Sequence, residues 1–252
     1  MKNVIYIADI DQDIDDLITI RYMAERSVFL KGVVLDPMPT SDVGKARVKL
    51  IESWGVKVFD SIPEDAEPKS PMGVAEPTEI VYCGGALTKV AEYVKDHKLQ
   101  QLVMNGGFVG EPIVPSNKAL PKFRGKSAVR TFNFNCDVAA ADAVLKSDNI
   151  EQIILVGKNV CHDDRNTFEV IWKDEKYLTE GLPVRPGKKL HDLLAVYEGL
   201  VFYGLSGYKD NHVLVYKEVY PFNNGLKGNM TEWGSSLEPT GYKKVLAAVG
   251  WV

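Results

Sequence analysis

The sequence predicts an α/β fold: a Rossmann-like, mainly parallel sheet with helices on both faces. Three observations predict it. Short apolar runs alternate with amphipathic stretches over the first 156 residues, the rhythm of strand–helix–strand units. The runs are continuously apolar, as in Gln152-Ile153-Ile154-Leu155-Val156, which marks strands covered on both faces. An acid-rich string directly after the first run then places a ligand site at the carboxyl end of a strand, where such sheets bind their ligands.

Taken in order, the first strand is 4–8, followed by a helix near 15–26, a strand at 30–35 and a helix near 42–54. Residues 60–78, rich in Pro, Glu and Lys, read as a surface loop. A strand at 79–82, a helix near 86–97 and a strand at 101–104 follow. Residues 106–128, with Gly, Pro and Lys throughout, read as a second surface loop before a helix near 138–147 and a strand at 152–156. Two further strands, 213–219 and 242–249, are expected at the sheet edge. No internal repeat is visible, and a single domain over 1–252 is expected.

Composition narrows the function classes. With 45% hydrophobic and 25% charged residues and a formal net charge of −4, no basic face is implied, so nucleic acid is not the expected partner. The apolar run after Lys2 is too short for a signal-peptide core, and nothing else approaches a membrane span. Cys83, Cys136 and Cys161 are odd in number and widely spaced, which suggests neither a disulfide framework nor a zinc site. A reducing cytoplasm is the expected compartment.

The string Asp9-Ile10-Asp11-Gln12-Asp13-Ile14-Asp15-Asp16 carries the chemistry. Its carboxylates repel one another unless a cation holds them, and oxygen donors at a strand end point to a divalent metal. A solvated helix start explains Asp15 and Asp16 but not Asp9 and Asp11. A calcium-binding helix–loop–helix needs Gly at its sixth position and Glu at its twelfth; counting from Asp9 gives Ile14 and Ile20. The Asp-x-Asp of haloacid-dehalogenase-type phosphatases fits Asp9 and Asp11 but leaves Asp15-Asp16 unexplained.

The whole string resembles the N-terminal signature of the inosine-uridine nucleoside hydrolases, Asp-Thr-Asp-Pro-Gly-x-Asp-Asp, and later blocks follow in order. Cys83-Gly84-Gly85-Ala86-Leu87-Thr88 is similar to the family's Gly-Pro-Leu-Thr turn, and Met104-Asn105-Gly106-Gly107 to its Met-Gly-Gly strand end. Thr131-Phe132-Asn133, with Asp137 and Ala140-Ala141 beyond, resembles Glu-Phe-Asn-x-x-x-Asp-Pro-x-Ala-Ala. Val156 to His162 resembles the segment ending in Val-Thr-His, and Leu190-His191-Asp192-Leu193-Leu194-Ala195 resembles Leu-His-Asp-Pro-Leu-Ala.

The resemblance implies a nucleoside hydrolase architecture and hydrolysis of an N-ribosidic bond, releasing free base for purine or pyrimidine salvage. It implies Ca²⁺ held by Asp11, Asp16, Asp192 and the main-chain carbonyl of Cys161, where the Thr-to-Cys change is tolerable because the backbone is the ligand. Asp11 would deprotonate the attacking water and His191 would protonate the leaving base. Asp15 and Asn133 would contact the ribose hydroxyls. A nucleoside-like small molecule is the implied partner, and the family commonly forms dimers or tetramers.

The chain also departs from the pattern. Gln12 and Asp13 replace Pro and Gly, Asp36 stands where Gly-Asn is expected, and Thr131 replaces the Glu that holds the 5′ end of ribose. Thr131 and Asp36 are therefore the altered substrate-binding positions. Lys122, Arg124, Lys126 and Arg130 lie close in sequence; they read either as a solvated loop or as cations that could admit a 5′-phosphate or a larger 5′ substituent. The non-enzymatic alternative is a degenerate relative that binds ribosides without cleaving them.

Overall fold

The computed structural model describes residues 4–11, 13–26, 30–63, 80–202, 214–222, 229–232 and 241–251. Its centre is a nine-stranded sheet of order β3-β2-β1-β4-β5-β6-β9-β7-β8. The strands are Val4–Ala8 (β1), Leu30–Leu35 (β2), Val58–Phe59 (β3), Ile80–Cys83 (β4), Leu99–Asn105 (β5), Ile150–Val156 (β6), Leu214–Phe222 (β7), Asn229–Glu232 (β8) and Val245–Trp251 (β9). All neighbours from β3 to β9 pair parallel, while β7 runs antiparallel to both β9 and β8.

The helices are Asp15–Glu25 (α1), Asp42–Ser53 (α2), Thr88–Tyr93 (α3), Phe132–Cys136 (α4), Val138–Lys146 (α5), Lys158–Cys161 (α6), Phe168–Ile171 (α7) and His191–Phe202 (α8). They cover both sheet faces, as the unbroken apolar strands require. Every residue of β1 is buried. Val4, Tyr6 and Ala8 face a core shared with Leu17 and Ile18 of α1 and Leu193 and Leu194 of α8. Ile5 and Ile7 face the second core, with Val90 of α3 and Val144 of α5. This alternation along one strand joins the two layers.

The expected strands all form, with bounds shifted by a few residues. The strand expected at 242–249 lies inside the sheet between β6 and β7, and β8, which was not expected, forms that edge. The helix expected at 86–97 is only α3, because 94–96 are turns. Most of the loop expected at 60–78 lies outside the described residues. The stretch 106–128 is not a plain surface loop: Phe108, Val109, Ile113, Val114 and Phe123 are buried, three of them in the second core. Its Gly and Pro residues break regular structure without preventing apolar side chains from packing.

What positions the site is the reversal of strand order. From β1 the chain builds outward through β2 and β3, then returns to add β4 on the other side. The connections after β1 and β4 therefore diverge and leave a crevice at the carboxyl ends of these strands.

Candidate active site

A cavity of about 420 Å³ opens at this crevice. Asp9 follows β1, Asp15 and Asp16 start α1, Gly84 follows β4, Asn105 ends β5, Asn133 sits in α4, and His191 and Asp192 start α8; all of them line it. Residues far apart in the chain meet here because each strand hands its carboxyl end to the same side of the sheet.

Four carboxylates of the lining are buried. Asp15 Oδ2 accepts the main-chain N–H groups of His191 at 2.7 Å and Asp192 at 3.4 Å, so it caps α8 and fixes that helix against α1. Its Oδ1 is buried without a partner among the described residues. Burial pushes the Asp15 carboxyl up to about 6. Asp16 Oδ1 accepts from Tyr6 Oη at 2.7 Å and from the Asp9 N–H at 3.3 Å. Asp192 Oδ1 accepts from Asn105 Nδ2 at 2.7 Å. Burial raises both, and Asp192 is raised further by the charges of Asp16 and Asp15. Asp9 also lines the cavity with a buried, unpartnered Oδ1. Lys188 relieves one side, with Nζ 2.7 Å from Asp13 and 3.7 Å from Asp15.

Gly84 is the floor on which these groups converge. A Cβ there would lie 2.3 Å from Tyr6 Oη, 2.8 Å from Asp16 Oδ1 and 2.9 Å from Asp192 Oδ1. Two carboxylate oxygens of different helices thus approach one point, and a hard divalent cation suits such donors. Among the described residues no three His, Cys, Asp or Glu side chains form a ready metal cage. The donor chemistry fits a cation, while a closed coordination shell is not preformed.

The remaining expected residues divide. His191 lines the cavity; burial, then His162 and nearby lysines, hold its ring down at about 3, so it is a neutral imidazole near pH 7. Asn133 Nδ2 donates to the carbonyls of Gly84 and Asn105, both at 2.8 Å, and ties the ends of β4 and β5 together. Thr131 lines the cavity, buried, with Oγ1 unpartnered among the described residues.

Asp11, Asp36 and Cys161 are not in the lining. Asp11 accepts from the Thr40 N–H at 2.8 Å and from Ser41 Oγ at 2.6 Å, bonds that lower its pKa and turn it toward the start of α2. Asp36 Oδ2 accepts the Lys89 N–H at 2.9 Å in the first turn of α3. The Cys161 carbonyl accepts from Asn166 Nδ2 at 3.1 Å, and its thiol donates to the Val156 carbonyl. Asp9 and Asn105, quoted within the motifs, were given no role from the sequence, and Lys158 and Lys188 were not singled out. Asn105 and Lys158 follow the strand-end rule that identified the acids, since one ends β5 and the other comes two residues after β6.

Fold and cavity together define a class: a doubly wound α/β protein with an acid-lined crevice at its switch point. The chain superposes on a structure described as an inosine-guanosine nucleoside hydrolase with a TM-score of 0.53, covering 99% of this chain and 94% of that one at 15% identity. The shared property is the nucleoside hydrolase fold. No protein-family profile and no curated protein sequence matches the chain.

Proposed function

We propose that this chain hydrolyses the N-glycosidic bond of a riboside, giving free base and a ribose product. The observation that carries the reading is the buried group Asp15, Asp16 and Asp192, with the half-buried His191 beside it, around one cavity in a fold shared with a nucleoside hydrolase. Cleaving this bond requires a water to be activated, positive charge on the ribose to be stabilised and the departing base to receive a proton. The carboxylate wall is opposite in sign to the developing positive charge and stabilises it.

Asp9 is the proton acceptor the geometry favours, because its buried Oδ1 has no other partner in the cavity wall. Asp11 would first have to leave Thr40 and Ser41. Asn133 has committed its amide nitrogen, so its Oδ1 is the atom left to accept from a ribose hydroxyl. His191, neutral in this setting, donates a ring N–H hydrogen bond to the departing base, which takes its proton from solvent water. Asp16 and Asp192 would hold a calcium ion, which when bound supplies Lewis-acid activation of water and an anchor for the ribose diol.

The test is chromatography of free base released from nucleosides, nucleoside 5′-monophosphates and NAD, with calcium, with chelator, and with Asp192→Asn. Base release by the wild-type chain that collapses in Asp192→Asn is the expected result. No release from any compound in the presence of calcium would sink the reading and favour a riboside-binding protein.

A further inference from the structure

The cavity has a second charged region, opposite in sign to the carboxylates. Lys158 and His162 both line it. Lys158 Nζ lies 3.3 Å from His162 Nε2, and Lys122 Nζ lies 2.6 Å from His162 Nδ1. A neutral imidazole has one lone pair and one N–H, so it can accept from only one ammonium. The other ammonium then faces an N–H, and a protonated ring would face both. Lys189 adds a third ammonium, 2.6 Å from the His162 carbonyl, although Asp164 at 2.8 Å offsets it.

Among the described residues, neither Lys122 nor Lys158 has a carboxylate within ion-pair distance. Beyond Lys158 lies an adjoining pocket of about 230 Å³, lined by Arg130, Phe132, Asn135, Cys136 and the same Lys158, with no acid in its wall. Phe132 borders both spaces, and next to it Thr131 keeps its buried hydroxyl without a partner. Three cations, Lys122 and Arg130 exposed and Lys158 half-buried, gather here beside the Thr131 hydroxyl, which has no partner among the described residues. A bound anion would pair with all of them.

We infer that Lys158, Lys122 and His162, with Arg130 beside them, form a phosphate subsite, and that the riboside this cavity takes carries a phosphate on its 5′ carbon. The inference rests on the N-ribohydrolase reading for the identity of the sugar, not for the existence of the subsite. In that reading the ribose diol belongs to the carboxylates. Ordinary nucleobases are uncharged, so the 5′ carbon is the position that brings an anion. A phosphate presents several acceptor oxygens and can take hydrogen bonds from two ammonium groups and an imidazole N–H at once, which removes the donor-to-donor clash. Thr131, in place of a carboxylate, puts a neutral hydroxyl next to that group instead of a repelling charge. Of the four cations close in sequence, Arg130 lines the adjoining pocket and Lys122, outside both linings, reaches His162 from behind; Arg124 and Lys126 do neither.

The experiment compares ribose with ribose 5-phosphate by isothermal titration calorimetry on the full chain, in phosphate-free buffer with calcium. Base release from uridine, uridine 5′-monophosphate and NAD is measured in parallel. Ribose 5-phosphate is expected to bind at least about tenfold more tightly than ribose, and Lys158→Gln and Lys122→Gln to bring that ratio toward one. The monophosphate is expected to exceed uridine in kcat/KM by a similar factor; NAD exceeding both would assign the subsite to a bridging pyrophosphate. Equal binding of the two sugars, or a phosphate preference that survives both lysine substitutions, overturns the subsite. Tight ribose 5-phosphate binding without any base release leaves the subsite standing and removes the hydrolase. Release from uridine alone keeps the hydrolase and removes the subsite.

Discussion

A methyl group at Gly84 would strike three polar atoms of the site at once. The Cβ of Gly84→Ala would sit 2.3 Å from Tyr6 Oη, against a normal carbon–oxygen contact of about 3.3 Å, and 2.8 and 2.9 Å from the carboxylates of Asp16 and Asp192. The tyrosine would have to retreat by roughly 1 Å and the carboxylates by about half that. The 2.7 Å bond from Tyr6 Oη to Asp16 is buried and charge-assisted, so losing it costs about 1.5–3 kcal/mol. For a domain of this size that corresponds to a fall of roughly 3–10 °C in melting temperature. Displacing reacting groups by about 1 Å is worth about 100-fold in rate. The assay is base release together with thermal melting, using Gly250→Ala as control because a Cβ there meets nothing within 4 Å. A Gly84→Ala protein that melts like wild type and keeps more than half its kcat/KM would refute the view that Gly84 is where the carboxylates converge.

Paired substitutions of the first acids separate two roles: Asp9→Asn is expected to lower kcat by about 10²-fold or more, while Asp11→Asn, already bonded to Thr40 and Ser41, costs less than about tenfold. Steady-state rates for the two variants decide, and a greater loss with Asp11→Asn would mean that its carboxylate enters the cavity. Calcium at about a hundred times its dissociation constant should add about 2.7 kcal/mol of stability, read as a rise of roughly 5–10 °C in melting temperature and absent in Asp192→Asn. The same variant, freed of one buried like charge, should melt higher than wild type when both are kept metal-free. Burial raises Asp15 from 3.8 to about 6, so folding favours its protonated form; that stabilisation is complete below pH 3.8 and disappears as pH rises through 6. Metal-free protein should accordingly melt lower at pH 7.5 than at pH 5.5, and a flat profile between them would argue against a buried Asp15.

The sheet and its switch point were legible because they follow from local pattern. Continuous apolar runs mark doubly covered strands, and an acid string after the first of them locates the carboxyl end where a ligand binds. Asp15, Asp16, Asn133, His191 and Asp192 were legible through the resemblance of their motifs to the nucleoside hydrolase blocks, and the structure brings them to one cavity. Asp11 was not, because its direction depends on a partner 29 residues away, the Thr40 N–H before α2. Asp36 likewise caps α3 across 53 residues, a bond no short motif encodes. Lys158 and Lys188 escaped notice because a single lysine in sequence is most often a solvated charge. Only the fold shows that one faces His162 and the other bridges Asp13 and Asp15.

The two charged regions explain why the cavity stays polarised and does not neutralise itself. Among the described residues Lys188 is the one lysine in ion-pair range of the cavity acids, and it engages Asp13 and Asp15, leaving Asp16 and Asp192 to hydrogen-bond donors. Tyr6 and Asn105 hold those carboxylates in place without cancelling their charge. On the other side, Lys122 and Lys158 converge on His162, which cannot satisfy both. The acid region costs stability in the empty protein, since its carboxylates are held together away from water, while the cations, Lys122 exposed and Lys158 half-buried, repel one another at the cavity rim. A cation on the first and an anion on the second would relieve both. In the proposed reading a phosphorylated riboside bound with a divalent ion carries both, and the two regions together would favour that combination over a neutral nucleoside, which brings no anion to the lysines.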